Sequence, residues 1–287
     1  MRLTAVLTAL ALATSAHAQN PSLSDLQTAA AAGDPKAEVD LGDAYADGRG
    51  VALDYGQAMA WYQKAAAQND ADAEVAIAGL YERGAGVPQD DVQALAWNRR
   101  AADQGNMGAE YNLGVAYDSG RGTARDLDAA FGWYEKAAEQ GLDAAQYNLG
   151  NMYETGEGVR QDYAQAMAWY RKAADQNYAA ADYNLGVMYL TGEGVPIDNT
   201  AALSLIDKAA RAGFPFAQGK MAAIYDGGLA GQAKDPVKAY AWALLATDGG
   251  DPDAGDLLDR MDGNHELSDD QLRQASDLAD SLASGRP

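Results

Sequence analysis

Residues 145–180 have the sequence AQYNLGNMYETGEGVRQDYAQAMAWYRKAADQNYAA, which predicts two helices joined by a glycine-rich turn. In the first helix Ala145, Leu149 and Tyr153 recur every four residues and form one apolar stripe. In the second helix the apolar residues fall at helical spacing and form a complete face: Ala166, Trp169, Tyr170, Ala173 and Ala174. The segment therefore predicts a helical hairpin with two apolar faces.

Small and polar residues mark the limits of these two helices. Gly156 suits the left-handed position that ends the first helix, and Asp162 suits the N-cap of the second. Gln165, three residues after Asp162, would complete a capping box. Gly150 costs about 1 kcal/mol of helix propensity relative to alanine, so we expect it to let a neighbouring helix approach closely.

The pattern recurs six times with a period of 36 residues. The copies begin at Ala37, Ala73, Ala109, Ala145, Ala181 and Ala217, and the sixth has one extra residue in its loop. A single hairpin cannot bury its own apolar face, so stacked copies must share a continuous core. We therefore predict an all-α protein: a right-handed α/α solenoid of about six 36-residue helix-turn-helix repeats, with N- and C-terminal capping helices.

These boundaries divide the chain into four parts. We expect a signal peptide at 1–18, an N-terminal capping segment at 19–36, the repeats at 37–253, and C-terminal capping helices and a tail at 254–287. The repeats would occupy 37–72, 73–108, 109–144, 145–180, 181–216 and 217–253. In the last part Ser268 and Gln271 predict a capping box, and Leu267 and Leu272 a hydrophobic staple.

The N-terminus predicts export. Arg2, an apolar run over residues 3–13, and the Ala16-His17-Ala18 exit are typical of a secretory signal peptide cleaved after Ala18. The apolar run is about half the ~20 residues that a membrane-spanning helix needs. We therefore expect a periplasmic or secreted chain without membrane insertion.

Charge limits the classes of partner. The formal net charge is −21, and removal of Arg2 with the signal peptide makes it one unit more negative. Nucleic acids and anionic lipid surfaces both require a basic protein surface, so neither is expected. Acidity favours a basic protein or peptide partner, although it also serves solubility alone. We expect the protein to be monomeric.

The repeat motif resembles the Sel1-like repeat family, a relative of the tetratricopeptide repeats. The motif residues are Tyr147, Asn148, Leu149, Gly150, Met152, Tyr153, Gly156, Gly158, Val159, Asp162, Trp169, Tyr170, Lys172, Ala173 and Ala174. The resemblance implies an α/α solenoid that acts as an adaptor, and for exported bacterial members it implies roles in envelope assembly, cell-surface signalling or host contact. The chain lacks the cysteine pairs of one exported branch of the family, so activities of that branch are not transferred.

A column of asparagines is the best candidate for partner contact. Asn112, Asn148 and Asn184 occupy the fourth position of three consecutive first helices, and a side-chain amide both donates to and accepts from a peptide backbone. By resemblance to tetratricopeptide folds, these residues would line the concave face and hold a peptide. Alternatively, they bond the backbone of the neighbouring repeat.

Other repeated positions have competing interpretations. Residues of the seventh position vary between copies and would shape the same groove, notably Val115, Asn151 and Val187. We expect core packing for two sets of aromatic residues, which are Tyr111, Tyr147 and Tyr183 and the tryptophans Trp61, Trp97, Trp133, Trp169 and Trp242. The tryptophans could otherwise form a ladder that stacks a ligand.

Catalysis finds little support in the sequence. The chain has no cysteine, and His265 is the single histidine after the predicted cleavage. We therefore expect no catalytic residues, no metal site and no cofactor. The leading interpretation is a non-enzymatic exported scaffold that binds peptide or protein partners in a concave groove. Two alternatives stay open: a periplasmic regulator that represses the exported domain of a membrane sensor, and an envelope enzyme acting on cell-wall polymer.

Overall fold

The computed structural model describes residues 22–285, which fold into fifteen α-helices without any strand. The helices are α1 Leu23–Ala31, α2 Pro35–Asp47, α3 Tyr55–Ala67, α4 Ala71–Arg83, α5 Asp91–Ala102, α6 Met107–Ser119, α7 Leu127–Glu139, α8 Asp143–Thr155, α9 Tyr163–Asp175, α10 Ala179–Thr191, α11 Asn199–Arg211, α12 Pro215–Gly227, α13 Pro236–Asp248, α14 Pro252–Gly263 and α15 Asp269–Ala283. The even-numbered helices α2–α12 are the first helices of the repeats, and the odd-numbered helices α3–α13 are the second helices.

The chain forms two compact units, residues 1–89 and 90–287. In the described part of the first unit, α1 packs on α2, α2 on α3 and α3 on α4. In the second unit the hairpins α6/α7, α8/α9, α10/α11 and α12/α13 follow one another, and each second helix packs on the next first helix. The predicted all-α solenoid is confirmed, with α1 packed at its N-terminal end and α14 and α15 packed on α13.

The glycine and aspartate predicted to limit the two helices of the fourth repeat do so in the structure. Gly156 adopts a left-handed conformation with φ 77° and ends α8, and Asp162 caps α9 by accepting the backbone N–H of Gln165 at 3.1 Å. The predicted capping box at Gln165 is wrong, since its side chain does not return the bond to Asp162. The capping box of Ser268 and Gln271 is confirmed, and Leu272 packs against the cluster that contains Leu267.

In four of the six repeats a glycine of the first helix lies against a large side chain of its own second helix. A Cβ added at Gly114 would lie 2.5 Å from Tyr134 Cδ1, and one at Gly186 would lie 2.6 Å from Ile206 Cγ1. The ring of Tyr170 covers Gly150 in the same way, which confirms the predicted close approach. In the sixth repeat both positions are alanine, Ala222 and Ala243, so the glycine and the large side chain are replaced together.

The tryptophans fill the predicted core role to different degrees, and Trp61 and Trp169 pack on core clusters with part of their surface exposed. Trp242 is buried, whereas Trp61, Trp97, Trp133 and Trp169 are half-buried. A cation three residues later lies over each of these rings: Lys64 Nζ is 3.4 Å from the Trp61 ring centre and Lys172 Nζ is 3.5 Å from that of Trp169. The tryptophan lies at the edge of the apolar face, where a long cationic side chain can cover it.

Glycine substitutions test the close approach. We expect Gly114→Ala to lower the free energy of unfolding by about 1–3 kcal/mol, because the new methyl group overlaps the Tyr134 ring. Gly132→Ala is the matched control, since nothing lies within 4 Å of its added Cβ, and helix propensity alone should raise stability by about 0.5–1 kcal/mol. Urea unfolding measures both variants. Stabilisation by both would contradict the packing argument.

Candidate partner-binding surface

The three candidate asparagines link neighbouring repeats. Each is half-buried, and its amide donates to the second helix of the preceding repeat. The pairs are Asn112 Nδ2 to Asn98 Oδ1 at 3.2 Å, Asn148 to the Tyr134 hydroxyl, and Asn184 Nδ2 to the Tyr170 hydroxyl at 3.0 Å. The acceptors are side chains, not the backbone groups that the structural alternative predicted. This row of side chains runs along the first-helix face, which we define by α6, α8 and α10.

Each tyrosine hydroxyl in this row connects three helices. Tyr170 donates to Asn151 Oδ1 at 2.5 Å or to Glu154, both on the preceding helix α8, while it accepts from Asn184 on α10. Asn151 Oδ1 also accepts from Asn184 Nδ2 at 3.1 Å. Tyr134 makes the equivalent bond to Asp118. Asn184 Nδ2 therefore bonds two neighbouring acceptors within the protein.

The three predicted residues of the seventh helical position also lie on α6, α8 and α10, and their contacts differ: Val115, Asn151 and Val187. Asn151 belongs to the network of Tyr170 and Asn184. Val115 is half-buried and packs against the core cluster that contains Tyr134 and Leu149. Val187 is half-buried one repeat-length beyond Asn151. The structure thus joins Asn151 and Asn184 directly and places the two valines on the helices of that face.

Burial changes the acidity of these phenols. It raises the pKa of Tyr170 well above the ordinary range, and the hydrogen bond to Glu154 raises it further. Burial likewise raises the pKa of Tyr134, with the charge of Asp118 as the next cause. In the first unit burial and the hydrogen bond to Asp43 raise the pKa of Tyr62. All three hydroxyls therefore stay protonated donors at neutral pH.

An apolar strip replaces polar N-caps at three consecutive first helices. Asp70 and Asn106 cap α4 and α6 through their side chains, whereas Leu142, Tyr178 and Phe214 begin α8, α10 and α12 without a side-chain bond. A missing N-cap costs about 1 kcal/mol. The sequence analysis missed this change, although the column is visible at the 36-residue period.

Two of these apolar N-cap residues, Tyr178 and Phe214, contact a tyrosine at the third position of a first helix. Ring centres lie 5.1 Å apart for Tyr147 and Tyr178, and 5.5 Å apart for Tyr183 and Phe214. Phe216 continues the row 5.6 Å from Phe214 and is 51% exposed. Tyr147 and Tyr183 are half-buried, so the predicted core role describes only their inner edges. We call this set the apolar strip: Leu142, Tyr147, Tyr178, Tyr183, Phe214 and Phe216.

Cations are absent from the helices of the first-helix face. Helices α6, α8 and α10 contain no lysine or arginine, and they carry partly exposed carboxylates at Asp118, Asp143 and Glu154. The second helices α5, α7, α9 and α11 hold seven cations: Arg99, Arg100, Lys136, Arg171, Lys172, Lys208 and Arg211. Basic charge in this unit is therefore concentrated on the helices that do not form the face.

The first unit has a groove of similar character between α2 and α4. Its lining includes four aspartates, Asp40, Asp43, Asp70 and Asp72, with Lys36 paired to Asp40 at 3.3 Å. The excess of carboxylates over cations along first helices thus occurs in both units.

Sequence reasoning also missed a column of buried polar residues that close each hairpin. These are Glu38, Glu74, Glu110, Gln146, Asp182 and Gln218. Gln176 Nε2, at the end of α9, donates to Gln146 Oε1 at 2.9 Å and to Gly141 O at 2.9 Å. Lys208 Nζ donates to Asp182 Oδ1 at 3.0 Å. Recurrence every 36 residues could have revealed the column, and its burial assigns it to the structure of the hairpin.

His265 is exposed in the turn between α14 and α15, with φ 53°. Residues 22–285 contain no group of three or more histidine, aspartate or glutamate side chains arranged to hold a metal ion. None of the described helices has the length and apolarity to cross a bilayer. The predicted signal peptide lies outside the described residues.

Comparison with known families identifies these repeats. The Sel1 repeat model matches six consecutive segments, at 35–70, 71–106, 108–142, 143–178, 179–214 and 215–251. The chain belongs to the Sel1 repeat family. Sel1 repeat proteins generally mediate protein–protein interaction, and the family is typically non-catalytic. No curated protein matches the sequence.

Two solved Sel1-type structures are similar in fold. One is c5321, a protective antigen of uropathogenic Escherichia coli strains that displays an SLR fold, with 34% identity and a TM-score of 0.75 over 91% of this chain. This chain spans 57% of the length of c5321. The other is a Sel1 repeat protein from Oxalobacter formigenes, with 33% identity and a TM-score of 0.72 over 78% of this chain and 89% of that one.

Removal of one hydroxyl tests the network between Sel1 repeats. We expect Tyr170→Phe to lower the free energy of unfolding by about 1–3 kcal/mol, because Asn184 and Glu154 lose a shared partner. Tyr147→Phe is the control and should change stability by less than about 0.5 kcal/mol. Urea unfolding measures both. Equal effects of the two variants would contradict the assignment.

Alkaline pH tests the buried phenols. A raised pKa in the folded state means that stability is fully present below the unfolded pKa of about 10 and is lost as pH rises above it. We expect the free energy of unfolding to fall between about pH 10 and pH 12, and less steeply in Tyr170→Phe. Urea unfolding at several pH values measures the slope. A flat profile shared by both proteins would refute the prediction.

Proposed function

We propose that this chain is a non-enzymatic, exported interaction scaffold that holds a peptide or protein partner on the first-helix face of residues 90–287. The partner is of basic character, and the scaffold acts as a monomer. One observation carries the proposal: α6, α8 and α10 present the same rows in register, with half-exposed tyrosines, amides and carboxylates, and no cation. An extended partner can use such a periodic surface, since its own groups repeat along its length.

The amide row would contact the partner through its oxygen atoms. Asn184 Nδ2 donates to Tyr170 and Asn151, which orients the amide and leaves Asn184 Oδ1 as an acceptor for a backbone N–H. Rigid positioning lowers the entropy lost on binding. Val115, Asn151 and Val187 would then provide the contacts that differ between repeats.

The alternatives make different demands on the same surface. A regulator of a membrane sensor needs a folded domain as its partner, whereas a scaffold for extended segments binds an isolated peptide. An envelope enzyme requires a pair of close carboxylates and turnover of cell-wall polymer. The repeated rows of the first-helix face support the scaffold, because they offer a series of equivalent contacts instead of one reaction centre.

Site-specific crosslinking tests the proposed surface. A photoreactive phenylalanine derivative replaces Val187 on the first-helix face or, as the matched control, exposed Ala168 on α9. Crosslinking in the cells that produce the protein, followed by mass spectrometry, should capture a defined partner from Val187 alone. Capture of the same partner from Ala168, or of none from Val187, would refute the face as the binding site.

Variants separate the contact role of the asparagines from their structural role. The triple change Asn112→Ala, Asn148→Ala and Asn184→Ala removes the amides, whereas Tyr134→Phe with Tyr170→Phe removes the tyrosine hydroxyls that Asn148 and Asn184 bond and keeps the amides. We expect affinity for the captured partner, measured by calorimetry, to fall at least about tenfold in the triple variant and less in the tyrosine variant. Equal losses would mean that the asparagines act only by holding the helices together.

A further inference from the structure

The apolar strip occurs where other first helices of the chain carry a polar cap. Leu142, Tyr178 and Phe214 each begin a first helix without a side-chain cap bond, and all three lie in consecutive repeats. Their side chains are half-buried, and Phe216 beside them is 51% exposed. Apolar residues therefore occupy the cap position in three consecutive repeats of the second unit, where each is packed on a core cluster and keeps part of its surface exposed.

The ring geometry leaves aromatic faces and edges available at the surface. Tyr147 and Tyr178 are tilted by 39° with centres 5.1 Å apart, and Tyr183 and Phe214 meet edge to face at 5.5 Å. Half-exposed rings of this kind accept apolar side chains, and their faces attract lysine and arginine through the ring quadrupole. At Trp133 of the second helices, by contrast, Arg99 and Lys136 of the same chain already lie over the ring.

One carboxylate adjoins the strip at its surface. Asp143 is the first residue of α8, directly after Leu142, and is partly exposed. Asp251, which lies against Gly219, is buried and caps α14 by accepting the backbone N–H of Asp253 at 2.9 Å, so it is already engaged within the protein. Lys220 on α12 is the one cation among helices α6, α8, α10 and α12. Aromatic surface together with local negative charge complements a cationic partner.

We infer that the apolar strip is the docking site for an extended protein segment that carries lysine or arginine between apolar side chains. Its apolar residues pack on Leu142 and Phe216, and its cations stack on the tyrosine and phenylalanine rings, with the partly exposed carboxylate of Asp143 beside Leu142. This inference rests on the proposed function and adds the recognition chemistry of the partner. It also places that chemistry at the N-terminal ends of α8, α10 and α12.

A variant with polar N-caps on α10 and α12 tests whether the rings of the strip bind the partner. Tyr178→Asp with Phe214→Asp introduces the residue that caps α2 and α4, so the helices keep a favourable start while the rings are lost. The variant is also more acidic. If attraction to basic segments were only electrostatic, the two added carboxylates would strengthen binding, whereas a strip that binds through its rings predicts weaker binding.

Selection from a phage-displayed library of random peptides of about twelve residues supplies the probe. The full mature chain serves as bait, and selected peptides are synthesised and titrated by fluorescence anisotropy. We expect selected peptides to combine lysine or arginine with apolar residues. Their Kd should rise at least about tenfold for Tyr178→Asp/Phe214→Asp and stay within about twofold for Ala164→Asp/Ala168→Asp, which adds the same charge to exposed positions of α9.

Stability is checked by thermal melting of each variant. If the double variant does not melt cooperatively, Phe216→Asp replaces it, because that side chain is already exposed and its loss leaves the packing intact. Selected peptides that lack basic residues, or that bind the strip variant as tightly as the parent, would overturn the inference. The proposed function would survive that result if Val187 still crosslinks a partner. If the peptide titration and the Val187 crosslinking both fail, the inference and the proposed function are both refuted.

Discussion

The contact of a large side chain with a glycine sets the geometry on which the rest of this solenoid depends. Because Gly114 and Gly150 have no Cβ, the rings of Tyr134 and Tyr170 lie directly against the backbone of the first helix. In the sixth repeat the glycine and the large side chain are both replaced, by Ala222 and Ala243. Cores packed at crystal-like density allow such paired changes and resist single ones.

The same contact determines where the phenol hydroxyl lies. A ring seated on Gly150 carries the Tyr170 hydroxyl to the junction of α8 and α10, where Asn151, Glu154 and Asn184 meet it. The hydrogen bonds therefore join one repeat to the next, and the first-helix face becomes a rigid row. Where the ring is replaced by Ile206, the network ends, and Lys220 occupies the next asparagine position. Packing inside a hairpin thus positions the polar groups displayed at its surface.

The sequence was sufficient for the architecture because its strongest signals are local and periodic. Helix limits at Gly156 and Asp162 and the close approach at Gly150 follow from backbone chemistry that a single repeat contains. The partial exposure of four tryptophans could not be predicted, because helical spacing identifies an apolar face but not its edge, where Lys172 covers Trp169. The acceptors of the asparagines could not be predicted, because they lie on the preceding repeat and depend on the ring position. The apolar residues at the N-cap positions of α8, α10 and α12 are visible in the sequence. Their partial exposure, which suggests a binding role, is seen only in the structure.

At Tyr178 and Phe214 the loss of an N-cap bond is offset by burial of an aromatic side chain. Loss of an N-cap costs about 1 kcal/mol, and full burial of a large apolar side chain contributes about 1.5–3 kcal/mol. Tyr178 and Phe214 are only half-buried, so their transfer recovers roughly the free energy that the missing caps lose. Fold stability is therefore nearly indifferent to the choice between aspartate and an aromatic residue at these positions. Since stability does not require aromatic residues at these positions, their occurrence at adjacent helices, continued by exposed Phe216, supports the proposal that a partner binds the rings.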